Sequence, residues 1–284
     1  MCGFEGFDLG DSGVTWMTTG EAGRFLAAAE PFLRSDPVAN NGLLTEARFW
    51  TWLSDPAPGA RFGWWADGSG TDGAFVEIPG HAPVCSPLSG PAIADLAGEL
   101  AHASSLGVQA QDAAAVTEAW RRQGRVLRPS VRMTLLRLGS VRPPALPMGA
   151  PRVADATDLS LLRSWFELFQ RGQPDDPSQV EFVVDHPLEE GGVLVWEVHG
   201  RPVAMASRTP TVAGMTRLGL AFQPTEGTTY SDAAFIAACV EAARTAEHVL
   251  VLSGTRRSTA AYRSLGFASV VDRVVLGVLD AHSS

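Results

Sequence analysis

Gln223 to Asp232 (Gln-Pro-Thr-Glu-Gly-Thr-Thr-Tyr-Ser-Asp) place one glycine among short hydroxyl side chains. A strand-like run, MTRLGLAF, precedes them, and an apolar helical pattern, AAFIAACVEAARTA, follows. The first N–H groups of a helix have no partners inside it, and the helix dipole favours an anion there, so such a loop suits phosphate. Gly227 would let phosphate oxygens approach the backbone closely. The charged residues oppose this. Glu226 beside a phosphate costs on the order of 1–4 kcal/mol at about 4 Å. Asp232 competes for the positive end of the dipole. Thr229 adds a branched side chain, whereas Ser231 has a hydroxyl that can donate to an anion. The same residues also read as an ordinary helix start, capped by Thr, Ser or Asp side chains. The sequence leaves both readings open.

Other reactive groups are scattered. Glu181, Asp185, His186 and Glu197 are carboxylates or imidazoles that could serve as a base, although each also reads as a turn residue or a solvated strand position. Cys85 has no His or acid visibly arranged around it and reads as a small core thiol. Cys2, Cys85 and Cys239 are odd in number and far apart, which suits a reduced compartment better than a disulfide framework. The six His residues show no metal-binding spacing, so no metal is expected.

The positioning elements follow from periodicity. In the second half, a strand near 152–154 leads to a helix from about 157, with Asp155 and Asp158 at its start. The polar stretch QPDDPSQ reads as a loop. A hairpin over 193–208, a strand at 215–222, a helix at 230–245, a strand at 248–252, a short helix at 257–264 and a strand near 268–279 complete it. The first half reads as helices near 20–34 and 40–53, a hairpin over 61–78, helices at 91–104 and 111–122, and a strand at 126–138. Ser140 to Arg152, SVRPPALPMGAPR, carries four prolines and reads as an extended linker. This predicts domains at 1–139 and 152–284, joined through 140–151. The halves look like imperfect copies. Each has an aromatic-rich hairpin, RFGWWADGSGTDGAFVEIP and GVLVWEVHGRPVAMASRTP. Each later sets an aromatic residue four positions before a glycine, in EAWRRQGR and AAYRSLGF.

The stretch SGTRRSTAAYRSLGFASVVDRVVL resembles the C-terminal signature of the GNAT (Gcn5-related N-acetyltransferase) superfamily, with Tyr262, Leu265, Gly266 and Phe267 on the signature positions. The element order of the second half agrees, and the doubled order is similar to a tandem GNAT arrangement. The resemblance implies an α+β fold of two GNAT-like domains, each a mixed, mostly antiparallel central sheet flanked by helices. It implies an acyl-CoA enzyme that passes an acetyl or other acyl group to an amine of a small molecule or peptide. Tyr262 would then protonate the leaving thiolate, a role open to a phenol that keeps its proton at neutral pH. The pantetheine would lie along strand 215–222, at Leu220 and Phe222. The pyrophosphate would meet Gly227, Thr228, Thr229, Tyr230 and Ser231. The alternative is a degenerate GNAT protein that no longer takes CoA in the usual way and serves as a binding or regulatory protein, or runs a different reaction in the same cleft. In the first half Trp120 holds the tyrosine position, and Ser86, Ser89 and Gly90 stand among prolines, so that half reads as scaffold. Trp50, Trp52, Trp64 and Trp65 read as core, with pocket lining as the other possibility.

Composition narrows the partners. Hydrophobic residues make up 45% of the 284 and charged residues 19%, enough for a packed core. A net charge of −9 argues against nucleic acid and anionic membranes as partners. No 18-residue apolar run and no basic-then-apolar leader is evident, so a cytoplasmic protein, monomer or homodimer, is expected.

Overall fold

The computed structural model describes residues 15–53, 59–67, 70–227 and 229–279. Cys2 and Thr228 lie outside them. The first half runs through strand β1 (Thr15–Thr19), helices α1 (Ala22–Ser35) and α2 (Asn41–Leu53), and strands β2 (Arg61–Asp67), β3 (Gly70–Glu77) and β4 (Val84–Cys85). Helix α3 (Gly90–Glu99), β5 (Ser105–Gln109), α4 (Ala113–Arg122) and β6 (Leu127–Leu138) follow. The second half repeats the order. It comprises β7 (Ala150–Val153), a 3-10 turn (Ala156–Asp158), α5 (Leu159–Gly172), a π-helical turn (Glu181–Asp185), α6 (His186–Glu189), β8 (Val193–Val198), β9 (Arg201–Arg208), β10 (Met215–Phe222), α7 (Tyr230–Thr245), β11 (His248–Ser253), α8 (Arg256–Ser264) and β12 (Phe267–Val278).

The strands form one twelve-stranded sheet in the order β1-β2-β3-β4-β5-β12-β6-β11-β10-β9-β8-β7. The last strand of each half therefore sits in the other half. β12 pairs with β5 and β6, and β6 lies between β12 and β11. Among the described strands only β4·β5 and β10·β11 are parallel, one pair in each half. The first half thus adds β1, β4 and β5 to the elements its sequence suggests, and its third helix stops at Glu99 rather than running to 104.

Alternation along the strands divides the core between the two faces. Phe75 of β3 joins Leu96 and Trp120 under α3 and α4, while its neighbours Ala74 and Val76 join Phe25, Leu33 and Leu44 under α1 and α2. That second cluster continues into Leu135, Met215 and Leu250, so α1 and α2 also cover strands of the second half. On the other face α7 packs on β8, β9 and β11 through Ala234, Ala238 and Ala242, whose short side chains bring it close to the sheet. The two aspartates that the sequence places at the start of this helical stretch cap the 3-10 turn leading into α5. Asp155 accepts from Thr157 N–H at 2.8 Å, and Asp158 accepts from Asp155 N–H at 2.9 Å. Gly266 leaves α8 at φ 105°, where an added Cβ would strike the Ser140 carbonyl oxygen. The proline-rich segment is tied there as well, because Arg142 N–H donates to Leu265 O at 3.0 Å. No helix among the described residues is long and apolar enough to cross a membrane.

Candidate functional site

β10 and β11 pair only from Met215↔His248 to Arg217↔Leu250. Beyond that point β11 turns to β6, pairing through Ser253, and β10 runs on to Phe222 beside β9 alone. A register irregularity between Leu218 and Ala221 bends β10 where the two part. The edge of β10 that faces β11 is left without a strand partner over its last residues. Backbone N–H and C=O groups at such an edge accept an extended amide chain as an added strand. Leu220 and Phe222 lie on this stretch, half-buried, with Phe222 edge-on to Phe169 at 6.2 Å.

The loop after β10 is exposed from Pro224 to Gly227. Gly227 has φ 117°, which favours glycine, and open space surrounds the place of its missing Cβ. Thr229 occupies the N-cap position of α7 without making a side-chain cap bond. The cap comes from Gln223 instead. Its amide oxygen accepts from Ser231 N–H at 2.9 Å, and its amide nitrogen donates to Thr225 O at 2.6 Å. Neither self-capping by Thr or Asp nor a fully open amide cradle describes this helix start. Glu226 and Asp232 are both exposed here, so two carboxylates stand at the anion-favouring end of α7. The free edge of β10 can accept an extended amide chain, while the Ser231 N–H at the start of α7 is already engaged by Gln223. Tyr230 packs half-buried against the α7 core, and Ser231 is half-buried beside it.

Tyr262 projects from α8 onto Phe235 of α7 and Phe267 of β12, with ring centres 5.5 and 5.9 Å away. Burial, with lesser help from Cys239 and Asp232, pushes its phenol above the ordinary value of 10. It therefore holds its proton across the physiological range. Helix α8 buries no residue fully, and its start is pinned by hydroxyl groups: Thr255 accepts from Ser258 N–H at 3.0 Å, and Ser253 Oγ lies 2.6 Å from Ser258 Oγ.

On the face covered by α1 and α2 lies a cavity of about 530 Å³ between the halves. Phe49, Trp50, Val76, Ile78, Met133 and Leu252 give it apolar walls. Its charged lining comes from three distant segments: Glu46 of α2, Arg217 of β10 and Arg273 of β12. Arg217 and Leu252 sit on the two strands where they part, so the cavity adjoins the split. Burial raises the Glu46 carboxyl, an effect that Arg217 partly opposes. Burial likewise lowers both guanidiniums, Arg273 to about 10 with Arg217 contributing through like-charge repulsion. Sequence reading missed Glu46, Arg217 and Arg273. The available signal was an arginine in each of two apolar strands, MTRLGLAF and VVDRVVL.

Of the four residues considered as bases, Glu197, Asp185 and His186 are engaged elsewhere, and Glu181 lies half-buried at the start of the π-helical turn. Glu197 accepts from Arg152 Nε at 2.7 Å, and Arg152 also makes two bonds to Asp158. Arg163 grips Asp185 with two bonds, of 3.0 and 2.8 Å. His186 stacks on Trp52 with centres 4.5 Å apart, and burial lowers its pKa. Trp52 in turn donates to Glu189 at 2.8 Å, and Phe49 meets Phe182 at 5.0 Å, so these aromatics clasp the two halves beside the cavity. Trp64 and Trp65 are core, whereas Trp50 lines the cavity. Cys85 is fully buried, and desolvation pushes its thiol up to about 12, which makes it an inert core group. No cluster of three or more potential metal ligands occurs among the described residues.

No family model matches the sequence, and no curated protein does. Solved structures do. A GCN5-related N-acetyltransferase from Sphaerobacter thermophilus is 15% identical with a TM-score of 0.55, over 92% of this chain and 94% of that one. A GNAT-family acetyltransferase from Colwellia psychrerythraea is 12% identical with a TM-score of 0.57, over 94% and 100%. A tandem GNAT protein from the clavulanic acid biosynthesis pathway is 15% identical with a TM-score of 0.55, over 96% and 100%.

Proposed function

Starting from the tandem GNAT fold that this chain has, we propose that it is an acyltransferase. In this reading an acyl thioester, acetyl-CoA, another acyl-CoA or a carrier-bound acyl group, donates to an amine of a small molecule or peptide. The chain divides into units 1–139 and 152–284 joined by 140–151, each completed by the other's last strand. The observation that carries the reading is the split between β10 and β11. It leaves a strand edge without a strand partner, running from the α7 start back to the cavity at Arg217.

The bound thioester supplies an activated carbonyl carbon. The chain's own residues orient and move protons. The free edge of β10 aligns an amide-bearing arm, with Leu220 and Phe222 fixing that stretch against α5. Gly227, Thr228, Thr229, Tyr230 and Ser231 are the positions for the donor's phosphate end, Thr228 lying outside the described residues. Tyr262 holds a proton at Oη for the departing sulfur. Glu46 is the carboxylate lining the cavity, and its raised pKa makes it a stronger base than an exposed glutamate. The apolar walls limit water around the acceptor amine.

One observation favours a second reading, in which the cleft no longer takes CoA and serves binding, regulation or another reaction. Gln223 fills the amide that a pyrophosphate would use, with Glu226 and Asp232 beside it. Calorimetric titration with acetyl-CoA, CoA and acetyl-pantetheine separates the two. Micromolar binding of acetyl-CoA supports the first reading. Binding of acetyl-pantetheine alone supports a carrier-bound donor. No binding of any of the three up to about 1 mM, equivalent to some 4 kcal/mol, leaves the second reading.

A further inference from the structure

The cavity holds more positive charge than the protein itself neutralises. Arg217 makes no side-chain hydrogen bond or ion pair within 4 Å to any described residue, and its electrostatic partner is Glu46. Arg273 donates one bond, from Nη2 to the Ala39 carbonyl at 2.8 Å, while its Nε is buried without a partner. Both arginines line the cavity and are half-buried, withdrawn from bulk water far enough to lower their pKa values. A buried guanidinium with unmet donors costs free energy that an anion restores, most effectively a planar carboxylate matching its fork. Two arginines against one glutamate leave a single positive charge, which one carboxylate balances and a phosphate dianion would overshoot. His81 at the exposed rim, the polar Ser178 and Gln179, and Trp50, whose buried indole N–H has no partner among the described residues, are the other hydrogen-bonding side chains in the lining.

We propose that this cavity binds a small amine that also carries a carboxylate, an α-amino acid with an apolar side chain being the simplest example. Arg217 and Arg273 hold the carboxylate, Glu46 faces the amine, and Phe49, Trp50, Val76 and Ile78 hold the apolar part. Its free-amine form is a monoanion and neutralises the lining, so the cavity favours the nucleophilic form of the acceptor or passes its extra proton to Glu46. Calling this ligand the acceptor rests on the acyltransferase reading above; the binding site does not.

The test is calorimetry on the whole protein without any thioester, using L-phenylalanine, 2-phenylethylamine and 3-phenylpropionate as probes. L-phenylalanine is expected to bind at least tenfold more tightly than 2-phenylethylamine, with 3-phenylpropionate also binding measurably. Arg217→Met, of similar length and apolar, is expected to weaken both carboxylates tenfold or more and to change the amine less than threefold. The proposal is overturned if the amine binds as well as the amino acid, or if no probe binds up to about 10 mM, a free energy near 3 kcal/mol. It is also overturned if a folded Arg217→Met protein keeps carboxylate affinity. Should that variant fail to fold, the wild-type ranking of the three probes decides alone. L-phenylalanine that binds but is not acylated by any thioester tested would sink the acyl-transfer reading and leave this site standing.

Discussion

The two halves carry the same elements in the same order, and they differ at the places where chemistry would occur. In the second half α8 presents Tyr262, half-buried and packed on Phe235 of α7. In the first half α4 presents Trp120, fully buried in the core with no partner for its indole N–H. In the second half β10 and β11 pair three residues deep and then separate. In the first half β4 spans two residues and meets β5 at Val84↔Gly107. The first-half helix α3 is capped by its own Ser89, which accepts from Ala92 N–H, and Pro91 removes a donor. The difference teaches that a shared fold supplies the frame twice, while a cleft persists where the core leaves room for it. The first half buries its indole in the core and contributes Glu46 of α2 to the cavity.

The largest expected effect tests the aromatic pair. Tyr262→Phe should lower kcat by about 10²–10⁴-fold while changing stability by under about 1 kcal/mol, since one hydroxyl is lost from a half-buried ring. Trp120→Phe should leave kcat unchanged and cost about 1–3 kcal/mol in urea denaturation, because it opens a void in a filled core. An unchanged kcat in Tyr262→Phe would remove the assigned distinction between the halves.

The matched glycines sharpen the comparison next. Gly266→Ala should cost about 4 kcal/mol or more, because positive φ and a backbone collision act together. Gly124→Ala, at φ 79° with open space around it, should cost only about 1–2 kcal/mol of conformational strain. Equal losses would mean that the Ser140 contact carries no weight.

The helix caps come third. Ser89→Ala and Gln223→Ala should each cost about 1 kcal/mol. Only Gln223→Ala should change ligand affinity, tightening acetyl-CoA severalfold by releasing the Ser231 N–H. A looser complex would show that the Gln223 amide assists the donor.

The smallest effect is titration. The folded Tyr262 has a pKa above its unfolded value, so stability is fully present below pH 10 and falls as pH rises through the folded value. Wild type should lose more stability than Tyr262→Phe between pH 9.5 and 11, a window set by the ordinary value of about 10. Identical pH profiles would place the phenol in water.

Most of the secondary structure was legible in sequence. The long amphipathic and apolar patterns of α5, α7, β8 and β9 agree with it closely. β1, β4 and β5 escaped because short strands such as TWMTT, VC and SLGVQ give little periodicity. The helix after QPDDPSQ escaped because Pro187 masks a π turn that runs straight into α6. Tyr262 stood in a local motif and was visible for that reason. Glu46, Arg217 and Arg273 were not, because no local spacing links residues that only the assembled sheet brings to one cavity. The Gln223 cap was also hidden, since a glutamine eight residues ahead of its target matches no common capping pattern.

The exchange of β6 and β12 sets a timetable for synthesis. β5 has β12 as its partner on one side, and β12 follows every other strand in the chain. A ribosome that has finished the first half has therefore released a sheet with an open flank, and it stays open while some 130 further residues are made. At about 5–20 residues per second that wait lasts many seconds. The nascent first half must spend it with an unsatisfied edge, the kind of surface that chaperones recognise and that neighbouring chains can pair with.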